Sequence, residues 1–181
     1  MKKTFNSNWF EFVMMVAVIM LLIAYGINLR GFDRASQIAS ALGTAFVLLV
    51  LWNKQITHVT IEDHRWLLNS GQSGKHRIDI ASIVYIARAP QYIFRSWGAR
   101  MTIFFREDAH RVKATWLNEG QYTQDTLRAI IKACVSIKPN IELDEQYKRL
   151  LANENYDLKS ESPSRSTNQV DQYVASKYGT H

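Results

Sequence analysis

Hydrophobic and polar positions alternate with three different periods along this chain. From Trp9 to Leu29 the residues are apolar or uncharged apart from Glu11, close to the start of the run. A second uncharged run spans Ala35 to Trp52. As helices these runs reach ~31 Å and ~27 Å, which suits the hydrocarbon core of a bilayer, the second with slight thinning. The link Arg30-Gly31-Phe32-Asp33-Arg34 is too short for anything but an antiparallel turn, so the pattern predicts a transmembrane helical hairpin over 9–52, with spans 9–29 and 35–52. Trp9 and Trp52 then serve as anchors at one interface. A cleaved signal peptide fits less well, because the first run is too long and no small-residue cleavage site closes it.

Beyond residue 55 the period falls to two. Ile56–Glu62, Arg65–Asn69, His76–Ile80 and Ile83–Arg88 read as short strands. Arg100–Arg106 alternates with Met101, Ile103 and Phe105 on one face; Arg111–Trp116 alternates with Val112, Ala114 and Trp116 inward. Pro90 and Gly98 interrupt Ala89–Ala99, which reads as a loop or distorted edge strand. From the candidate N-cap Thr123 the period becomes helical, with Leu127, Ile130, Ile131 and Cys134 on one stripe and Pro139 as the stop. A shorter stripe follows at Leu143, Tyr147, Leu150 and Leu151. The expectation is a membrane-anchored α+β chain: a small β-barrel or sandwich over 56–151, capped by C-terminal helices. Residues 152–181 hold five serines and little apolar clustering. Val170, Tyr173, Val174 and Tyr178 are spaced for a short helix, but composition favours a disordered tail.

Composition alters this picture only when divided along the chain. The 181 residues are 47% hydrophobic, with a mean hydropathy of −0.18 and a net charge of +6. That hydropathy excludes a polytopic transporter. The single cysteine, Cys134, excludes a disulfide framework, and its place on the apolar stripe makes it a buried hydrophobe. Residues 53–151 carry 15 Lys and Arg against 10 Asp and Glu, and no acid falls between Ile80 and Arg106. That window interleaves Arg88, Arg95 and Arg100 with Tyr92 and Trp97. These five are the candidate residues for a headgroup or a partner, since a cationic, aromatic loop beside an anionic leaflet gains about 1 kcal/mol per Lys or Arg. Lys2, Lys3, Lys54 and Arg65 outnumber Arg30 and Arg34, which places both termini on the cytoplasmic side of the inner membrane.

Two further patterns bear on partners. Ala35, Ala39 and Gly43 recur every four residues in the second span, a helix-packing face for the first span, a second copy of the chain or another membrane protein. Gly71-Gln72-Ser73-Gly74-Lys75-His76 lacks the first Gly and the Ser or Thr of a phosphate loop, and reads as a hairpin turn. His58, His64, His76 and His110 lack metal-ligand spacing, and no nucleophile–base pair is discernible, so neither an enzyme, a metal nor a cofactor is expected. Membrane lipids and a membrane-protein partner or homo-oligomer are the expected partners. No small-molecule substrate is implied, and a tethered barrel sets nucleic acid aside.

The strand Ile78-Asp79-Ile80-Ala81-Ser82-Ile83, the hairpin Met101-Thr102-Ile103-Phe104-Phe105 to Val112-Lys113-Ala114-Thr115-Trp116, and the helix ending Ile137-Lys138-Pro139-Asn140-Ile141 follow two apolar spans. In this order the chain resembles the bacterial pleckstrin-homology-like membrane proteins of the YcxB-like group over about residues 9–141. The resemblance implies a pleckstrin-homology-like domain on the cytoplasmic face that serves binding or scaffolding, with no reaction. The last helix lacks the Trp usual in eukaryotic relatives, so no phosphoinositide pocket is carried over. The function expected is a membrane-anchored interaction module; the alternative is an accessory subunit of a larger transport or secretion complex.

Overall fold

A computed structural model describes residues 2–6, 58–71, 74–93, 96–108 and 111–179, with isolated helical positions at 18, 20, 41 and 43–45. The spans 9–29 and 35–52 lie almost wholly outside the described residues. No helix among the described residues is long and apolar enough to cross a membrane.

The chain divides into two compact units, one of residues Ser7–Thr57 and the other of Met1–Asn6 with His58–His181. The second is α+β. Its first sheet has the order β1-β2-β3-β4, from β1 (Lys2–Asn6), β2 (His58–Glu62), β3 (Trp66–Gly71) and β4 (Gly74–Asp79), all antiparallel. The second has the order β7-β6-β5-β8, from β5 (Ile83–Ile93), β6 (Ser96–Arg106), β7 (Val112–Asn118) and the two-residue β8 (Glu142–Leu143), which runs parallel to β5. The two sheets do not close into a barrel, one of the two architectures expected above.

Strand β1 lay hidden in the sequence. Lys2-Lys3 reads as a membrane flank, yet Phe5 pairs with Val59 and is buried in the core. Its two lysines also suit an edge strand, where charge discourages pairing with other chains. The β2–β3 turn places Asp63 and His64 at φ of 52° and 51°, a left-handed bend that Asp and His tolerate better than most side chains. Gly71 and Gly74 are register partners that close the β3–β4 hairpin, as read from the sequence. Asn69 on β3 joins the sheets: its Nδ2 donates to Thr115 Oγ1 at 2.8 Å and to the Trp116 carbonyl at 3.3 Å.

Helix α1 (Gln124–Ile137) starts where expected, with Thr123 Oγ1 accepting from the Thr126 N–H. It buries Leu127, Ile130, Ile131 and Cys134 against Leu67, Ile78, Met101 and Ile103. Burial pushes the Cys134 thiol up to about 12, so it stays a protonated hydrophobe. Helix α2 (Glu145–Ala152) adds Tyr147 and Leu150 to the same core.

Of the three β7 residues expected inward, Val112 is buried, on the face toward α3, but Ala114 and Trp116 do not face the main core. Thr115 pairs with Ile103 and Leu117 with Met101, so Thr115 and Leu117 face the core while Ala114 is exposed. Taking Trp116 rather than Leu117 as the inward residue shifts the alternation by one position, and such a slip exchanges the two faces.

Residues 152–181 also depart from the expected disordered tail. Ser166 opens helix α3 (Thr167–Tyr178) through a reciprocal capping box with Gln169. Val170 and Val174 are buried against Tyr85, Ala87, Ala89 and Phe104, on the face of the second sheet turned away from α1. Two valines suffice because each fully buried side chain gains roughly 1.5–3 kcal/mol. Replacing Val174 with Asp should therefore raise the undocked population of α3 about a hundredfold, ~2.7 kcal/mol. Limited proteolysis is expected to cut this variant first between 152 and 178, while the sheets stay resistant.

Candidate functional site

Strand β5 sets Arg88 opposite Met101. The guanidinium is therefore carried into the core, and the Arg88 side chain is only 3% exposed. A charge so placed needs a partner of opposite sign with its hydrogen bonds made. Glu119 meets it: Arg88 Nε donates to both carboxylate oxygens, at 3.2 and 3.0 Å. Glu119 is held by the turn Glu119–Gln121, in which Asn118 Oδ1 accepts from the Gly120 N–H at 2.9 Å. The Tyr147 hydroxyl on α2 donates to the same carboxylate. Burial, and then the neighbouring Glu119 charge, raise the Tyr147 hydroxyl well above its ordinary value, so it remains a donor.

From Arg88 the network runs into the C-terminal segment. Arg88 Nη1 donates to the Glu161 carbonyl at 2.8 Å. Glu161 Oε2 accepts from Gln146 Nε2 at 3.1 Å and from the Tyr156 hydroxyl at 2.7 Å. Gln146 Nε2 also donates to the Ser162 carbonyl at 2.9 Å. Strand β5, the turn after β7, helix α2 and residues 156–162 thus meet in one network around this guanidinium.

Beside this network lies a cavity of about 450 Å³. One wall is Arg88, Pro90 and Ala99 from β5 and β6, and the other is the segment 159–166 with Lys159 and Arg165. Arg165 is fixed in place: its Nη1 donates to the Tyr85 hydroxyl at 3.2 Å, and its guanidinium stands 4.7 Å from the Tyr173 ring centroid. A second cavity of about 370 Å³ opens between Ile61 and α1, with Lys3, His64 and Lys132 at its rim.

Glu142 on β8 holds the far end of α3. Lys177 Nζ donates to its two oxygens at 2.9 and 2.8 Å, and the hydroxyls of Tyr173 and Tyr178 donate to the same carboxylate. Burial alone pushes this carboxyl up. The hydrogen bonds from Lys177, Tyr173 and Tyr178 and the Lys177 charge outweigh it and hold the group at about 2.

The five residues proposed from the basic window separate. Arg88 is buried and neutralised by Glu119, so it is not a surface cation; the register of β5 dictates this. Arg100 is half-buried, 5.9 Å from the Trp116 ring centroid. Tyr92 and Trp97 are register partners near the ends of β5 and β6, and both strands extend into Ala89–Ala99, where a loop or distorted edge strand is expected from the sequence. Arg95 lies outside the described residues, as do Ala35, Ala39, Trp9 and Trp52. Gly43 is helical. Sequence reasoning missed Glu119, Tyr147, Glu161, Lys159 and Arg165. Local signals that the chain just beyond the last two is ordered are the Ser166-to-Gln169 capping box and the helical spacing of Val170, Tyr173, Val174 and Tyr178. No family profile, curated protein or solved structure matches the chain.

Arg88→Met strands the Glu119 carboxylate in the core and should cost about 3–5 kcal/mol in chemical denaturation. The double variant Arg88→Met/Glu119→Gln is expected to regain most of that. Because the folded Glu142 carboxyl sits below its ordinary value of 4.5, its ionised form stabilises the docked helix above that pH. The contribution fades as pH falls from about 4.5 toward 2. Hydrogen exchange in α3 should accelerate across that window in the native chain, and Glu142→Gln should abolish the transition.

Proposed function

We propose that this protein is a membrane-anchored interaction module. In this reading residues 9–52 form the antiparallel hairpin anchor. The α+β unit, of the pleckstrin-homology-like kind, offers a basic surface at the cytoplasmic face of the inner membrane to a protein partner, to anionic headgroups, or to both.

The observation that carries the reading is the pairing of β1 with β2. Asn6 and His58 are register partners, so the chain leaves the sheet and returns to it at adjacent positions. The intervening apolar excursion must begin and end together. An even number of membrane crossings meets that requirement; a single crossing does not. The same end of the sheet carries Ser70 opposite His58 and the exposed Lys75 opposite Ser70, which puts a cation on the side where the apolar segment departs. Such a cation gains about 1 kcal/mol near an anionic leaflet.

The small-residue repeat Ala35, Ala39, Gly43 favours a second reading, in which the hairpin packs on a neighbour and the chain is an accessory subunit of a larger membrane complex. The full chain should stay in the membrane pellet through alkaline carbonate, and tags at both ends should be reached by protease only from the cytoplasmic side. Release by carbonate, or tags on opposite sides, would overturn the anchor. Gly43→Leu should reduce self-association or co-purification of a neighbour by about tenfold or more if that face packs between chains. Unchanged association removes the accessory-subunit reading.

A further inference from the structure

We propose that the cavity beside Arg88 binds a phosphate monoester, held between β5 and the segment leading into α3. This deepens the module reading and rests on it only for the setting, since the site is built wholly within the α+β unit. About 450 Å³ lies within the range of small-molecule sites.

Three cations reach the cavity, Arg88 from β5 and Lys159 and Arg165 from the segment opposite. Arg88 is buried and already oriented, because Nε is fixed by Glu119 and Nη1 by the Glu161 carbonyl. Its Nη2 has no partner among the described residues. Arg165 is steadied by Tyr85 and Tyr173, which leaves two nitrogens of its fork. Lys159 is exposed and its ammonium has no partner among the described residues.

Hydroxyls complete the donor set. Ser166 Oγ accepts from the Gln169 N–H and keeps its own proton to give. It also marks the start of the twelve-residue helix α3, whose positive end favours an anion. One acid stands in the lining, Glu161, whose Oε2 is occupied by Gln146 and Tyr156. With Arg88 balanced by Glu119, Lys159 and Arg165 exceed Glu161 by one positive charge. Fixed guanidinium forks suit a phosphate group, which accepts on several oxygens at once. Pro90, Ala99 and Pro163 form the apolar part of the wall, where the carbon skeleton of the ester would rest.

The phosphomonoester has two sources, a soluble metabolite or a lipid headgroup. The test uses the full chain in zwitterionic detergent, titrated calorimetrically with glycerol 3-phosphate and, separately, with dioctanoyl phosphatidic acid. Saturable binding of at least one probe is expected, weakened about tenfold or more in Lys159→Gln, whose side chain makes no hydrogen bond or ion pair among the described residues. Binding of the soluble ester alone identifies a metabolite, of the lipid alone a headgroup, and of both the shared phosphate chemistry. Arg165→Gln should show the same loss, with circular dichroism confirming that α3 stays folded. Lys148→Gln, on an exposed face of α2, should bind as the native chain does. Binding of neither probe, binding undiminished in Lys159→Gln, or an equal loss in Lys148→Gln overturns the site. None of these results alters carbonate extraction, so failure here is distinguishable from failure of the anchor.

Discussion

A guanidinium carried into a protein core by the register of its strand must be neutralised where it stands, and much of this domain is arranged around that requirement. Desolvating the charge costs several kcal/mol unless an acid and further acceptors surround it. Glu119 supplies the charge, and Tyr147 and the Glu161 carbonyl complete the hydrogen bonding. The donors and acceptors come from segments far apart in sequence. The turn after β7, helix α2 and the C-terminal segment therefore take their positions together. Docking of α3 follows, because the chain that leaves this network at Ser162 reaches the helix N-cap, Ser166, four residues later.

The C-terminal segment consequently has two attachments of different character. At its start Arg165 meets Tyr85, and at its end Lys177 and two tyrosines meet Glu142. Between them only Val170 and Val174 are buried. Polar contacts at both ends fix the direction of the helix, while the small apolar contact supplies its affinity for the sheet. The second sheet is thereby covered on both faces, which explains why Phe104 and Val112 are buried although they point away from the main core.

Periodicity made most of the α+β unit legible. The alternation of Met101, Ile103 and Phe105 and the stripe Leu127, Ile130, Ile131, Cys134 each identified a buried face, because burial of one face imposes its period on the sequence. What failed had physical causes. Strand β1 is too short and too basic to show a pattern, and its burial depends on one residue, Phe5. The inward face of β7 is not legible locally, because Thr115 is accommodated in the core through a hydrogen bond from Asn69, a partner that local sequence does not reveal. Helix α3 was obscured by a polar composition that its capping box contradicted. Of the candidate site, the basic window led to Arg88 but assigned it to the surface. Its pairing with Glu119 is a tertiary fact without any local trace.

The splitting of the first sheet across the chain bears on how the protein assembles. Strand β1 is synthesised first, yet the edge it needs does not exist until β2 and β3 have followed the apolar segment. Its pairing must close a long loop, and the entropy lost in closing a flexible loop rises with its length, though slowly. A segment that folds back on itself brings Asn6 and His58 together beforehand and removes most of that loss. Topology therefore makes the β1–β2 pairing the most distant contact of the first sheet, since β2, β3 and β4 pair with near neighbours in the chain. Completion of the sheet would thus report that Asn6 and His58 had been brought side by side.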